Sequence, residues 1–215
     1  MATITIGVDI GQNRDPTAIC VSEAIGRTTE GREEKHYVVH HLERIPLRAR
    51  YSDVARRLAA VIGRLRKRGD RSPELFVNAT GLGQPVIDLL QEPLKDVEPV
   101  SVYFTHGDQR TEKIEEGRRT VKLGKAWLTS HLQTLLQSGR LHLPKTREAQ
   151  QLADELDDFK IPVDENANEK YGAFRVGTHD DLVTALGLAT QGDRGPTNTW
   201  AWIEDYMRRR DERRP

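Results

Sequence analysis

Three carboxylates and one amide in this chain stand where chemistry could be done. Asp9 lies near the end of an apolar run, TITIGVDIG (Thr3–Gly11). Asn78 ends another, ELFVN (Glu74–Asn78), and a Gly-rich turn through Thr80, Gly81 and Gly83 follows it. Asp180 and Asp181 come together just before the apolar segment LVTALGLAT. In α/β proteins the carboxyl ends of strands are where ligands usually bind. Carboxylates crowded at such a place repel one another, and a hard divalent cation makes the crowding tolerable. Two such ions about 3.5–4 Å apart can activate a water and stabilise the leaving oxygen in phosphodiester cleavage. Each residue also has a plainer reading. A lone aspartate at a strand end is a turn former, and Asn78 before glycines is an ordinary loop entry. Asp180 and Asp181 can simply complement a helix dipole, with Thr178-x-x-Asp181 as a capping box. His179 beside them reads as structural. Only the combination, in this order along one fold, favours a metal site.

The elements that must position these residues are legible from periodicity. Thr3–Gly11 alternates with period two and reads as a strand, as do Thr17–Gly26 and His36–Leu47, the last stopped at Pro46. Short connections make these three an antiparallel meander. Tyr51–Arg68 places Val54, Leu58, Val61, Ile62 and Leu65 on one helical face. Glu74–Asn78 is the fourth strand, a turn and helix occupy Gly81–Leu90, and Pro99–Phe104 is the fifth strand. Thr105–Lys122 reads as a polar loop of mixed charge. Helices are expected over Ala126–Gly139 and Arg147–Phe159, a hairpin over Phe159–Val176, and a buried helix over Thr178–Thr190 with Thr178 as its N-cap. A Gly/Pro break at Gly192–Pro196 precedes a last helix, Trp200–Arg214. If the first and fourth strands are parallel neighbours, Asp9 and Asn78 end roughly 5 Å apart laterally. Gly11 is a place where backbone could approach a ligand closely.

Composition bounds the function classes. The chain has 215 residues, which suits one sizeable domain with an appended tail. Lysine plus arginine and aspartate plus glutamate each number 33, so the molecule as a whole is not a polycation. The charge is segregated instead: Arg44–Arg71 carries ten basic residues against two aspartates, Leu143–Glu169 is acidic, and Arg208–Arg214 is basic again. Such segregation permits contact with nucleic acid without requiring it. The single cysteine, Cys20, lies in an apolar run and reads as a core residue of a reducing compartment. No apolar stretch approaches the roughly 18 residues needed to cross a bilayer.

The order of elements suits an α/β, ribonuclease H-like fold: a five-stranded mixed sheet flanked by helices, with a C-terminal helical tail. The division expected is residues 1–193 for the domain and 194–215 for the basic tail. The segments IGVDIGQNRDPTAI, VNATGLGQPVIDLL, LLQSGRLHLP, LADELDDF and GAFRVGTHDDLVTALGLAT, in that order, resemble the nuclease domain of the large terminase subunit of tailed bacteriophages. The similarity runs roughly from Ile4 to Gln191. It implies an endonuclease that cuts concatemeric DNA during genome packaging in the host cytoplasm, with Mg²⁺ or Mn²⁺ as cofactor and two ions in a fully acidic site. By position it implies Asp9 and Asp180 as metal ligands and Asp181 as a ligand or supporting residue. Asn78 stands where the family pattern expects aspartate, which implies weakened or absent activity. The implied partners are double-stranded DNA, a packaging ATPase domain or subunit, and a portal or small terminase subunit, with no membrane. The residues given contain no G-x-x-x-x-G-K-[ST] loop and so no translocating motor, which fits either the nuclease half of a longer protein or a stand-alone relative. Arg118, Arg119, Lys122 and Lys125 border a helix and are candidate phosphate contacts, although Glu112, Glu115 and Glu116 share their loop. Two rivals stand beside this reading. GVDIG also resembles the phosphate loop of actin-like ATPases and sugar kinases. A catalytically silent DNA-binding or packaging-partner module of the same fold is the other.

Overall fold

The computed structural model describes residues 3–11, 15–29, 32–69, 72–82, 84–94, 96–115, 117–158 and 180–192. Among these, thirteen elements run β1 (Thr3–Asp9), β2 (Thr17–Thr29), β3 (Arg32–Ile45), α1 (Tyr51–Lys67), β4 (Glu74–Asn78), α2 (Gln84–Leu94) and β5 (Pro99–Thr105). They continue with β6 (Arg110–Glu115), β7 (Arg118–Gly124), α3 (Lys125–Gln137), β8 (Leu141–His142), α4 (Arg147–Asp158) and α5 (Asp181–Ala189). The expected hairpin over Phe159–Val176, Thr178, His179 and the tail lie outside the described residues.

The sheet is mixed and eight-stranded, in the order β6-β7-β5-β4-β1-β2-β3-β8. The five expected strands are its contiguous centre. Three more extend it, so the expected count of five is corrected to eight. Most of the difference comes from Thr105–Lys122, which is largely an antiparallel hairpin of β6 and β7 rather than a loop. Period-two apolarity is missing there because the buried position is Glu112, neutralised by Arg110 (2.9 Å) and Arg119. A paired charge takes the place a valine would usually hold.

Strand β1 is central, antiparallel to β2 and parallel to β4. One face of the sheet carries Ile6, Val8, Leu75 and Val77 against Leu58, Ile62, Ile87 and Leu90 of α1 and α2. The other carries Phe76 and Val102 against Leu128 and Leu132 of α3, Leu152 of α4 and Leu182 and Leu186 of α5. Burial on both faces is why β4 reads as a continuous apolar run, and in β1 it extends to Thr5 between the apolar positions. All nine residues of α5 are buried, which explains its uniform apolarity. It lies on β1 at Gly7, where a Cβ would collide with the Ala185 carbonyl oxygen and the Ala189 amide. The first glycine of GVDIG is therefore a seat for helix backbone. Among the described residues no helix is long and apolar enough to cross a membrane.

Candidate functional site

The carboxyl ends of the parallel strands β1, β4 and β5 lie at one edge of the sheet, and the start of α5 reaches the same edge. Val8 pairs with Val77, so Asp9 and Asn78 follow side by side. The Asn78 Nδ2 donates to Asp9 Oδ1 at 2.7 Å. Asn78 Oδ1 accepts from the Thr80 amide at 3.0 Å, the bond of an Asx turn. These two bonds orient the amide: the oxygen is spent on the turn and the NH₂ faces Asp9. The turn is held in place by the Ala79 amide on the Val102 carbonyl (2.8 Å) and the Phe104 amide on Thr80 Oγ1 (2.8 Å).

Helix α5 contributes Asp180 from its N-cap position, one residue before the first helical turn in which it was expected. Its carbonyl starts the helix by accepting from the Thr184 amide at 2.8 Å, while its side chain makes no capping bond. That carboxylate lines a pocket of about 230 Å³ together with Asp9, Gly11, Asp15, Asn78, Lys125 and Thr184.

Asp181 is turned elsewhere. It is buried and accepts two bonds from Arg44, Nε to Oδ2 at 2.7 Å and Nη2 to Oδ1 at 3.2 Å. Arg44 also pairs with Glu155 of α4. Consecutive helical residues point about 100° apart, so Asp180 and Asp181 cannot both face the pocket squarely. Asp181 instead ties the start of α5 to β3.

Asp15 has no counterpart among the expected site residues. The chain folds back after β1, and a Cβ on Gly11 would collide with the Asp15 carbonyl oxygen. Thr17 Oγ1 bonds both the amide and the carbonyl of Gly11 at 3.2 Å, closing the loop. The close approach expected at Gly11 is thus made by the protein's own loop. The signal was the Gly11–Asp15–Thr17 spacing, which is too common in turns to single out.

The electrostatics are those of crowded acids. Asp9 is pushed up to about 7 by burial, against the lowering effect of the Asn78 hydrogen bond and with further raising from Asp180, Asp181 and Asp15. Asp180 is also raised, chiefly by burial; Lys125 opposes this, and Asp15 adds to it. Oxygen donors in excess of cations suit a hard divalent ion. Among the described residues, however, no three acidic, histidine or cysteine side chains stand close enough to enclose one. Asp9, Asp15 and Asp180 line one pocket and offer oxygen donors of the kind such an ion takes, without meeting at one point. At position 78 an N–H donor, not an oxygen, faces Asp9.

The structure separates the four basic residues expected to meet phosphate. Strand β7 is parallel to β5 and three strands from β1, and its first residues, Arg118 and Arg119, stand two or three residues short of the level of Asp9, roughly 16 Å or more away. Arg119 pairs with Glu112 and with Glu74 at 2.7 Å and stacks over Phe76, and Arg118 faces Asp88 at 3.6 Å. Lys122 is exposed partway along β7, and Lys125 lines the pocket.

No family model and no curated protein sequence matches the chain. Its fold is that of terminase large-subunit nuclease domains. The large terminase nuclease of thermophilic phage G20c superposes with a TM-score of 0.53 at 20% identity, over 88% of this chain and 82% of that one. The human cytomegalovirus terminase nuclease domain, soaked with manganese, gives 0.53 at 13% identity over 86% and 81%. The large-terminase nuclease domain of bacteriophage SPP1, with bound manganese, gives 0.50 at 12% over 87% and 84%.

Proposed function

We propose that this chain is a metal-dependent DNA endonuclease domain of terminase type, attenuated by Asn78, that cuts concatemeric viral DNA during packaging. The observation that supports this is the meeting of Asp9, Asp15, Asp180 and Asn78 in one pocket of a fold shared with terminase nuclease domains. A Mg²⁺ or Mn²⁺ ion would be held by Asp9 and Asp180 with Asp15, and would supply the positive charge that polarises a phosphoryl oxygen and makes water a nucleophile. The protein's own groups do the rest. Asn78 holds the Asp9 carboxylate in place through its amide. Lys125 offsets the charge of Asp180 and is set to meet a phosphate entering the pocket. Asp181, through Arg44, keeps the start of α5 and therefore Asp180 aligned with the strand ends. Duplex DNA is the substrate, and translocation falls to a packaging ATPase acting with a portal or small terminase subunit.

One observation favours a second reading, a catalytically silent DNA-binding or packaging-partner module. The Asn78 amide occupies the place beside Asp9 where a bridging cation would be needed. Plasmid nicking in millimolar Mn²⁺ or Mg²⁺ separates the two. Slow cleavage is expected from the chain as it stands. Asn78→Asp is expected to raise it at least tenfold, about 1.4 kcal/mol of barrier. Asp9→Ala and Asp180→Ala are expected to abolish it. No cleavage by either the chain or Asn78→Asp would favour the silent module, and full activity in an alanine variant would remove the metal cluster.

A further inference from the structure

The pocket has a continuation that the expected phosphate contacts do not explain. Asp9 pairs with Ala18 of β2, and Ala18 pairs with Arg44 of β3. Two strand spacings therefore put Arg44 about 10 Å from Asp9 along the same edge of the sheet. Arg44 is also a wall of a groove of about 590 Å³ that opens between the end of β3 and the start of α4. Beyond Val38 the outer side of β3 is unpaired among the described residues, because β8 joins it only at Tyr37 and Val38.

Four exposed cations border this end: Arg48 and Arg50 in the β3–α1 turn, Lys145 before α4 and Arg147 at its start. None of the four makes an ion pair among the described residues. The acids nearby are largely spent. Glu43, in the groove wall, takes Arg57 at 2.7 Å and His41 at 2.8 Å, and Asp53 takes Arg56; among the described residues Glu148 is the other acid of the wall. Among the described residues, positive charge thus remains unpaired on one side of the site, in line with it.

We infer that the DNA backbone runs from the Asp9 pocket across the end of β3 into this groove, its phosphates held by Arg48, Arg50, Lys145 and Arg147. The placement rests on the nuclease reading. A strand advances about 3.4 Å per nucleotide, so the 10 Å from Asp9 to Arg44 is about three nucleotides, and the groove takes the next ones. Arg44, shared between the groove and the Asp181 pair, then links backbone binding to the alignment of α5.

The test is anisotropy of a labelled short duplex with the full chain in EDTA, titrated with salt. Replacing the four cations with glutamine is expected to weaken binding at least tenfold near 100 mM salt. It is also expected to flatten the log–log salt slope by about 0.9 for each phosphate that is no longer neutralised. Lysine at the three arginine positions is expected to restore most of the binding. The matched pair Arg64→Gln and Lys67→Gln, exposed at the far end of α1, is expected to change it less than twofold. Unchanged binding in the fourfold variant, an equal loss in the Arg64 and Lys67 pair, or preferential capture of an acidic peptide over duplex would overturn the inference. Manganese-dependent nicking by Asn78→Asp, run in parallel, reads the nuclease assignment independently. Nicking combined with binding that ignores the four cations refutes only the path; binding that needs them without nicking refutes only the nuclease.

Discussion

Asn78 is the residue on which the chemistry turns. Its two hydrogen bonds are those an aspartate could make only in part: one carboxylate oxygen would keep the Thr80 turn, and the other would face Asp9 Oδ1 at the 2.7 Å now bridged by an N–H. Asn78→Asp changes almost no volume, so its effect is electrostatic. In EDTA it is expected to lower the melting temperature; in millimolar Mn²⁺ it is expected to raise it above that of the parent, and thermal melts of both proteins under both conditions check this. Asp9 itself gives a pH signature. Its folded-state pKa of about 7 lies above the ordinary 3.8, so the folded form holds the proton after the unfolded chain has released it. Its unfavourable contribution is absent below about pH 4, grows as pH rises between those values and is complete above about 7. Metal-free protein is therefore expected to lose stability from pH 5 to 8, and Asp9→Asn to flatten that part of the curve. A curve that keeps its slope in Asp9→Asn would place the titrating group elsewhere.

At the scale of elements, α5 decides where the site is. It is seated by Gly7 at one end and by the Arg44–Asp181 pair at the other, with Ser22 Oγ donating to the Ala189 carbonyl at 2.6 Å between β2 and the helix. Gly7→Ala puts a methyl into helix backbone, which has nowhere soft to give. A loss of about 3 kcal/mol or more is expected, seen as a drop in melting temperature of roughly 6–12 °C for a domain of this size. Asp181→Asn leaves Arg44 with Glu155 but breaks a buried pair, so a loss of a few kcal/mol is expected. Because Asp181 does not line the pocket, cleavage by Asp181→Asn in the Asn78→Asp background should fall far less than by Asp180→Asn. Equal losses in nicking rate would make Asp181 a ligand rather than an anchor.

The whole molecule carries no net charge yet places the exposed cations Arg48, Arg50, Lys145 and Arg147, without ion pairs among the described residues, beside one edge of its sheet. Binding to duplex is expected to be strongly salt-dependent, in contrast to that of a neutral protein with evenly mixed charge. Among the described residues both core clusters lie between Ile6 and Ala189. The Gly/Pro break before the tail sets residues 194–215 apart in the sequence, and deleting them is expected to leave the melting temperature within about 3 °C. If Arg208–Arg214 also touch DNA, the truncated chain will show a shallower salt slope in the same anisotropy titration.

The five central strands, the apolar stripe of α1 and the buried character of α5 were legible in the chain because each rests on local periodicity. So was the order Asp9, Asn78, Asp180, since polar residues closing apolar runs mark strand ends and helix starts. Other features depended on contacts distant in sequence. Glu112 hides β6 because its neutralising partner Arg119 comes from the next strand. Asp15 enters the pocket because Gly11 lets the loop fold onto itself. Arg118 and Arg119 lie away from the pocket because β7 is three strands from β1 and parallel to β5, a placement that no local pattern encodes. The choice of Asp180 over Asp181 follows from a single residue at the start of α5, and helical rotation turns that residue into a change of face.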